Sequence, residues 1–422
     1  MSNIHIGNAP PDKVILPFYA TGAFVFWLLC LLLLADPGSL TQHHFNPHLL
    51  AIVHMAALGW GTMIIMGAAH QLLPVICERD LFNPVLASVS WYFLTAGIIF
   101  LAYAFWNMQT GWLMIGGGVL VVLSALAYFI NTAFTGSVFI HYSVVRVFIF
   151  SSAFWLLFTT LIGLLLAINL RYVFFTKNHL ELLKLHAHAG LAGWFLQLIT
   201  GVSSKLVPMF LLGKSDKEKL LLYAFILQNA GLLLFLFDGY FLEMPALRMF
   251  VYAVLVAAGI TCWLLYLYDA FRNRVRKKAD IQMKQTFLSF LGIVIAILLV
   301  PFVLYANDPR WSIVYGAFLF MGWITGLILG KTFKTLPFIV WNRHYKNLSG
   351  KAKIPLPKNL YSEGLVQWQF RIFIAAMVLL AAGILMNNTI IVQVASVFWL
   401  LLATIYLLNV MKVLLHKKTL LS

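Results

Sequence analysis

The stretch HMAALGWGTMIIMGAAHQLLP, residues 54–74, decides the fold because it returns twice, as HAGLAGWFLQLITGVSSKLVP at 188–208 and AFLFMGWITGLILGKTFKTLP at 317–337. The common frame is G-W-x6-G-x6-P: Gly59, Trp60, Gly67 and Pro74, then Gly193, Trp194, Gly201 and Pro208, then Gly322, Trp323, Gly330 and Pro337. From the abundance of Gly, Trp and Pro in this chain, about 0.002 such matches are expected by chance, so three copies mark an internal repeat. Glycine lets helices approach closely, and proline bends or ends a helix near the interface, so both read first as packing residues. Tryptophan in this position reads first as packing or as an interface anchor.

Each copy lies inside a long apolar run. Of the 422 residues, 62% are hydrophobic and 10% charged, whereas a soluble domain of this size carries about 25% charged residues. Apolar runs cover 16–35, 48–76, 84–105, 111–131, 144–170, 180–211, 219–238, 247–270, 285–305, 312–340, 368–386 and 389–415. Each approaches or exceeds the ~20 residues a helix needs to cross the hydrocarbon layer. The repeats at 48–76, 180–211 and 312–340 fall in the second, sixth and tenth runs, four apart. The expectation is an all-α polytopic membrane protein, one transmembrane domain over 1–422, with about twelve helices in three pseudo-threefold arcs of four.

The formal net charge of +16 would suggest nucleic acid in a soluble protein. Here the cations sit in short loops, where they orient the chain in the membrane, so the expected partner is the lipid bilayer and no nucleic acid. With the N-terminus inside, the inner loops hold Arg79, then Lys214, Lys217 and Lys219, then Arg272 to Lys278, then Arg343 to Lys358, and the tail adds Lys417 and Lys418. Three outer loops carry no Lys or Arg, while Arg171, Lys177 and Lys184 run against the rule. The balance places both termini in the cytoplasm of a bacterium with the chain in its inner membrane. The longest loop, 341–367, is rich in Lys and Pro and reads as a solvated cytoplasmic linker ahead of a docking surface. The polar opening Met1–Lys13 lacks a basic n-region and a cleavage site. Cys30, Cys77 and Cys262 form no C-x-x-C pair, so neither a thiol redox motif nor a thiolate metal site is indicated.

Ionisable residues within the spans carry the functional reading, because they are costly there unless they face a cavity or partner. Six residues before each Trp stand His54, His188 and Ala317. Matching depth in related helices makes His54 and His188 candidate metal or haem ligands, with buried histidines bonded to carbonyls as the alternative. His186 is a further candidate, although in a regular helix it points ~200° away from His188, so one metal does not easily take both. His70 lies roughly 24 Å along the helix from His54 and reads as a polar contact near the inner end. His43, His44 and His48 read as a solvated outer cluster ahead of a copper site. Eleven residues after each Trp stand Gln71, Lys205 and Lys334. The lysines read as snorkelling to the interface ahead of lining an anion or proton path. Gln228 and Asn229 read as a hydrogen-bonding pair joining helices.

Twelve spans, three arcs of four and outward-lying histidines in spans two and six resemble subunit I of the haem-copper oxidase superfamily. Residues 48–76 and 182–211 are also similar to bacterial membrane proteins described as cytochrome c oxidase subunit I-like, and to the NnrS family of membrane haem proteins linked to nitric oxide response. The resemblance implies that His54 matches the low-spin haem ligand and that His188 or His186 matches the span-six copper ligand. Span seven carries no histidine pair and span ten no histidine, so the oxidase ligand set is incomplete and oxygen reduction by the family mechanism is not expected. The leading expectation is therefore a divergent member that binds haem or copper in respiratory or nitric-oxide-related redox chemistry, with no residue assigned a catalytic role. The alternatives are a non-catalytic assembly subunit that contacts other respiratory-chain subunits, and a transporter built on the same scaffold.

Overall fold

A computed structural model describes residues 10–136 and 143–418; most of the polar opening Met1–Lys13 lies outside the described residues. Among the described residues, twelve helices are long and apolar enough to cross a membrane. They are α1 (Asp12–Ala35), α2 (Pro47–Cys77), α3 (Pro84–Trp106), α4 (Trp112–Thr135), α5 (Val144–Arg171), α6 (His179–Leu211), α7 (Glu218–Phe241), α8 (Ala246–Arg272), α9 (Ile281–Tyr305), α10 (Pro309–Leu348), α11 (Glu363–Leu385) and α12 (Thr389–Leu414). The chain is an all-α polytopic membrane protein. Asn46, Asn83, Asn178, Asp280, Asp308 and Asn388 each accept a backbone N–H at a helix start, the usual device for satisfying the first turn.

The three repeat helices form the interior. In α2, α6 and α10 the central window is 72, 78 and 72% buried, against 22–50% for the other nine. The outer helices follow a common plan: α3 pairs with α4, α7 with α8 and α11 with α12, and α1, α5 and α9 pack on the repeat helix that follows each. The last helix closes on the first, where Trp27 Nε1 of α1 donates to Thr404 Oγ1 of α12 at 3.1 Å. The second glycine of each repeat is a point of close approach within its arc. A Cβ on Gly67, Gly201 or Gly330 would lie 2.5 Å from Phe18, 2.6 Å from Phe148 or 2.8 Å from Thr286, on α1, α5 and α9 respectively.

Each repeat helix changes to π-helical winding at the same register, over Met55–Thr62, Ala189–Phe195 and Phe318–Thr325. Such winding is rare and concentrates at functional sites. Here it begins on the residue after His54, His188 and Ala317 and contains each repeat Trp. Those three indoles are at most 1% exposed. Trp194 Nε1 donates to Thr62 Oγ1 at 2.9 Å, and Trp60 Nε1 donates to Thr325 Oγ1 at 2.9 Å. The Trp of one repeat thus reaches the hydroxyl two residues past the Trp of its neighbour. The third link is missing: the corresponding position in the second repeat is Leu196, and the Trp323 indole N–H is buried without a partner.

The ends of the repeat helices differ in one respect from expectation. After Pro74 and Pro208 the helix stops within a turn, capped by Glu78 and Leu212 in the left-handed region at φ 55° and 51°. After Pro337 it continues, so the connection expected over 341–367 shortens to 349–362. The extension is held by buried contacts. Tyr345 is fully buried with its hydroxyl 2.8 Å from His416 Nε2, Trp341 Nε1 donates to Pro355 O at 2.6 Å, and Arg343 pairs with Asp12 at 3.1 Å. This end of the bundle carries both described termini and most of the cations. The histidines of the repeats lie toward the other end.

The missing link makes a stability prediction. Leu196→Thr supplies the absent acceptor and raises the unfolding midpoint in detergent, by about 0.6–1.7 kcal/mol, the range for interhelical hydrogen bonds in membranes. Thr62→Val strands the buried Trp194 indole and lowers it by about 1–3 kcal/mol. Unchanged midpoints in both variants would show that the indole links carry no weight.

Candidate functional site

One cavity of about 1000 Å³ occupies the end of the bundle opposite the termini. Its walls come from all three arcs and are almost wholly apolar. Thr62, Trp194, Leu196 and Trp323 line it, whereas Trp60 and Thr325 do not. The cavity therefore reaches the interface between repeats one and two and the interface between repeats two and three, while the Trp60–Thr325 link between repeats one and three lies outside its lining.

His54, His186 and His188 all line this cavity. The expectation left His54 with either His188, at equal depth, or His186 as its partner. The structure brings His54 beside His186: their ring centroids are 6.4 Å apart and their planes 18° from parallel. His188 turns to the other side of α6, toward Phe235 of α7 at 5.0 Å and Tyr315 of α10 at 6.3 Å. The offset is the same at both interfaces. The residue six before Trp in one repeat meets the residue eight before Trp in the next, giving His54 with His186 and His188 with Tyr315. Between repeats one and three the corresponding residues are Ala317 and Ile52, which are apolar and also line the cavity.

The tautomers follow from the hydrogen bonds. Nδ1 of His54 lies 2.7 Å from Leu50 O, Nδ1 of His186 is 3.1 Å from Thr159 O, and Nδ1 of His188 is 2.8 Å from Lys184 O. A carbonyl only accepts, so each Nδ1 carries the proton and each Nε2 keeps its lone pair. A protonated Nδ1 held by a carbonyl is the usual second-shell arrangement of a metal-binding imidazole. Two neighbours fix the pair further. Phe105 stacks on His54 with centroids 4.3 Å apart. A Cβ on Gly163 of α5 would lie 2.8 Å from His186 Cε1, so only glycine leaves room for that ring where it stands.

Two imidazoles binding one metal from opposite sides, each at ~2.0–2.1 Å, have centroids about 6.3 Å apart. The His54–His186 spacing fits that arrangement. Among the described residues, no group of three or more His, Cys, Asp and Glu side chains comes together to hold a metal ion. A structural or catalytic zinc ion takes three or four protein ligands, more than this pair supplies. A macrocycle that brings its own four nitrogens needs only the two axial ligands. The apolar walls suit its faces, and Lys184 and His44 at the rim suit acidic substituents. Burial, with His43 and Lys184 close by, holds His44 below the ordinary histidine range.

The remaining sequence candidates lie elsewhere. His48 pairs with Asp36 at 2.6 Å and stacks on Trp106 at 4.0 Å, and His43 stacks on His44 at 4.2 Å. His70 is fully buried, 5.2 Å edge-on from Tyr128 and 5.6 Å from Phe18. Lys205 is exposed, Gln71 is partly buried, and Lys334 pairs with Asp280 beside Phe210 instead of reaching solvent alone. Gln228 and Asn229 do join helices: Asn229 bonds Trp155 and Ser151 of α5 and Gln197 of α6, and Gln228 bonds Gln197 and Thr200. Sequence reasoning missed Thr62, Thr325, Tyr315, Phe105 and Gly163. Comparing positions two after and eight before each Trp would have drawn out the first three.

No protein-family model matches this chain, and no curated protein matches it.

Proposed function

We propose that the chain is a membrane redox protein of the haem-copper oxidase subunit I-like kind that holds one haem between His54 and His186. The observation that carries the reading is the near-parallel imidazole pair, 6.4 Å between centroids, with both Nδ1 atoms tied to backbone carbonyls beside an apolar cavity. The threefold repeat and the span-two histidine support the same resemblance. A haem held by His54 and His186 would supply one-electron transfer. The protein's own contribution is to fix the two rings, through Leu50 O, Thr159 O, Phe105 and the space at Gly163, and to keep water out with apolar walls. Lys184 offers charge to the acidic edge of the group.

The orientation belongs to the same proposal. Lys and Arg concentrate at the end with the termini, which by the positive-inside rule faces the cytoplasm of a bacterial inner membrane. The haem pair then lies toward the outer face, within reach of electron carriers on that side.

The full chain, expressed with haem supplied and purified in lipid nanodiscs, is expected to show a Soret band with a low-spin spectrum and one haem per chain. His54→Ala and His186→Ala abolish the low-spin signal, and Gly163→Leu, which displaces the His186 ring, reduces haem content at least tenfold. His188→Ala retains the band, which separates this pairing from the one suggested by depth alone. A colourless protein, or a band lost with His188 and kept without His186, overturns the assignment.

A further inference from the structure

The interface between repeats two and three repeats the geometry of the histidine pair with different chemistry. His188 and Tyr315 stand where His54 and His186 stand, with centroids 6.3 Å apart and planes 23° from parallel. His188 again keeps the Nε2 lone pair, because its Nδ1 is bonded to Lys184 O. Tyr315 lines the same cavity, and its hydroxyl makes no hydrogen bond among the described residues. The next polar group toward the floor is the unpartnered Trp323 indole. A tyrosine hydroxyl does not complete a bis-imidazole metal site, so this half of the cavity calls for another kind of occupant.

The outer wall here is open. At the other two arc boundaries, α4 packs along α5 and α12 along α1, whereas α8 meets α9 far more sparingly. Between α8 and α9, rings touch toward the termini at Trp263–Phe290, 5.2 Å, and toward the far end at Phe250–Tyr305, 6.5 Å. Between those contacts the cavity reaches the lipid-facing surface. Its lining includes Val254 of α8 and Leu298 of α9, which are 49 and 65% exposed on the outside of the bundle. Apart from Tyr252, whose hydroxyl is bonded to Asp238, the α8 and α9 residues lining the cavity are apolar, which favours an uncharged molecule arriving from the hydrocarbon layer.

We propose that the His188–Tyr315 half of the cavity binds an uncharged, bilayer-dissolved molecule whose head carries a hydroxyl group and which enters between α8 and α9. The hydroxyl donates to His188 Nε2 and accepts from the Tyr315 O–H, so both groups are satisfied by one head. An acyl tail alone would leave both of them unpaired. The shared chemistry is that of a lipid-soluble alcohol or phenol, of which a quinol and a diacylglycerol are two sources. The inference does not depend on the haem reading, because it uses the other interface.

The test uses the full chain in nanodiscs and 3-azioctanol, a membrane-soluble alcohol that crosslinks on illumination. Adducts are expected on α8 and α10, within Tyr252–Ala257 or on Tyr315. Tyr315→Phe and His188→Ala reduce labelling at least fivefold, His188→Gln, which restores an acceptor, keeps most of it, and Val254→Trp slows it. Excess decylubiquinol or excess dioctanoylglycerol displaces the label, and whichever acts at lower concentration names the source. Haem content, read from the Soret band of the same samples, stays constant across these variants. Labelling that is unchanged in Tyr315→Phe and His188→Ala, that maps to other helices, or that neither competitor displaces overturns the proposal.

Discussion

An indole N–H buried at bilayer depth has no water to turn to, so leaving it without an acceptor on a neighbouring helix is costly. That constraint organises this bundle. Trp27 reaches Thr404, Trp91 reaches Thr21 and Trp263 reaches Ser203, joining α1 to α12, α3 to α1 and α8 to α6. At the centre the same bond joins the repeat helices to one another, Trp194 to Thr62 and Trp60 to Thr325. Because the hydrophobic effect does little to hold one helix against another in lipid, such bonds and close glycine contacts set which faces meet. The absent third bond then matters for where the bundle can open, and the boundary that lacks it is the one with a window to lipid.

The three interfaces around the centre show what one repeated helix can become. Two of them show the same offset between positions six and eight residues before Trp. At the third, Ala317 and Ile52 stand at those positions and offer only apolar wall to the cavity. With His54 and His186 the interface presents two lone pairs at the spacing of axial ligands. With His188 and Tyr315 it presents one acceptor and one hydroxyl at nearly the same spacing. The backbone geometry is common, and the side chains at two positions assign each interface its chemistry.

Much of the fold was legible because membrane helices declare themselves by length and hydropathy. The twelve spans and the interior place of the Gly-Trp helices follow from apolar runs and a repeated frame. The pairing of histidines was not legible, since equal depth along two helices says nothing about rotation about their axes. The π-helical segments after His54 and His188 alter that rotation, and the partners Thr159, Gly163 and Phe105 come from other helices. Lys334 was read as a snorkelling cation because its counter-ion, Asp280, lies 54 residues away in sequence. The helix beyond Pro337 was read as a loop because its polar residues are satisfied by the tail and by α1, which a local reading does not see.

The central claim is that His54 and His186 clamp one planar cofactor. Electron cryomicroscopy of the full chain, purified with its native cofactors in a lipid nanodisc, tests it most directly. The account predicts a flat density between the two rings, continuous with Nε2 of both and with its edge toward Lys184. Lipid or water filling that space, or the two rings collapsed against each other with nothing between them, would contradict it.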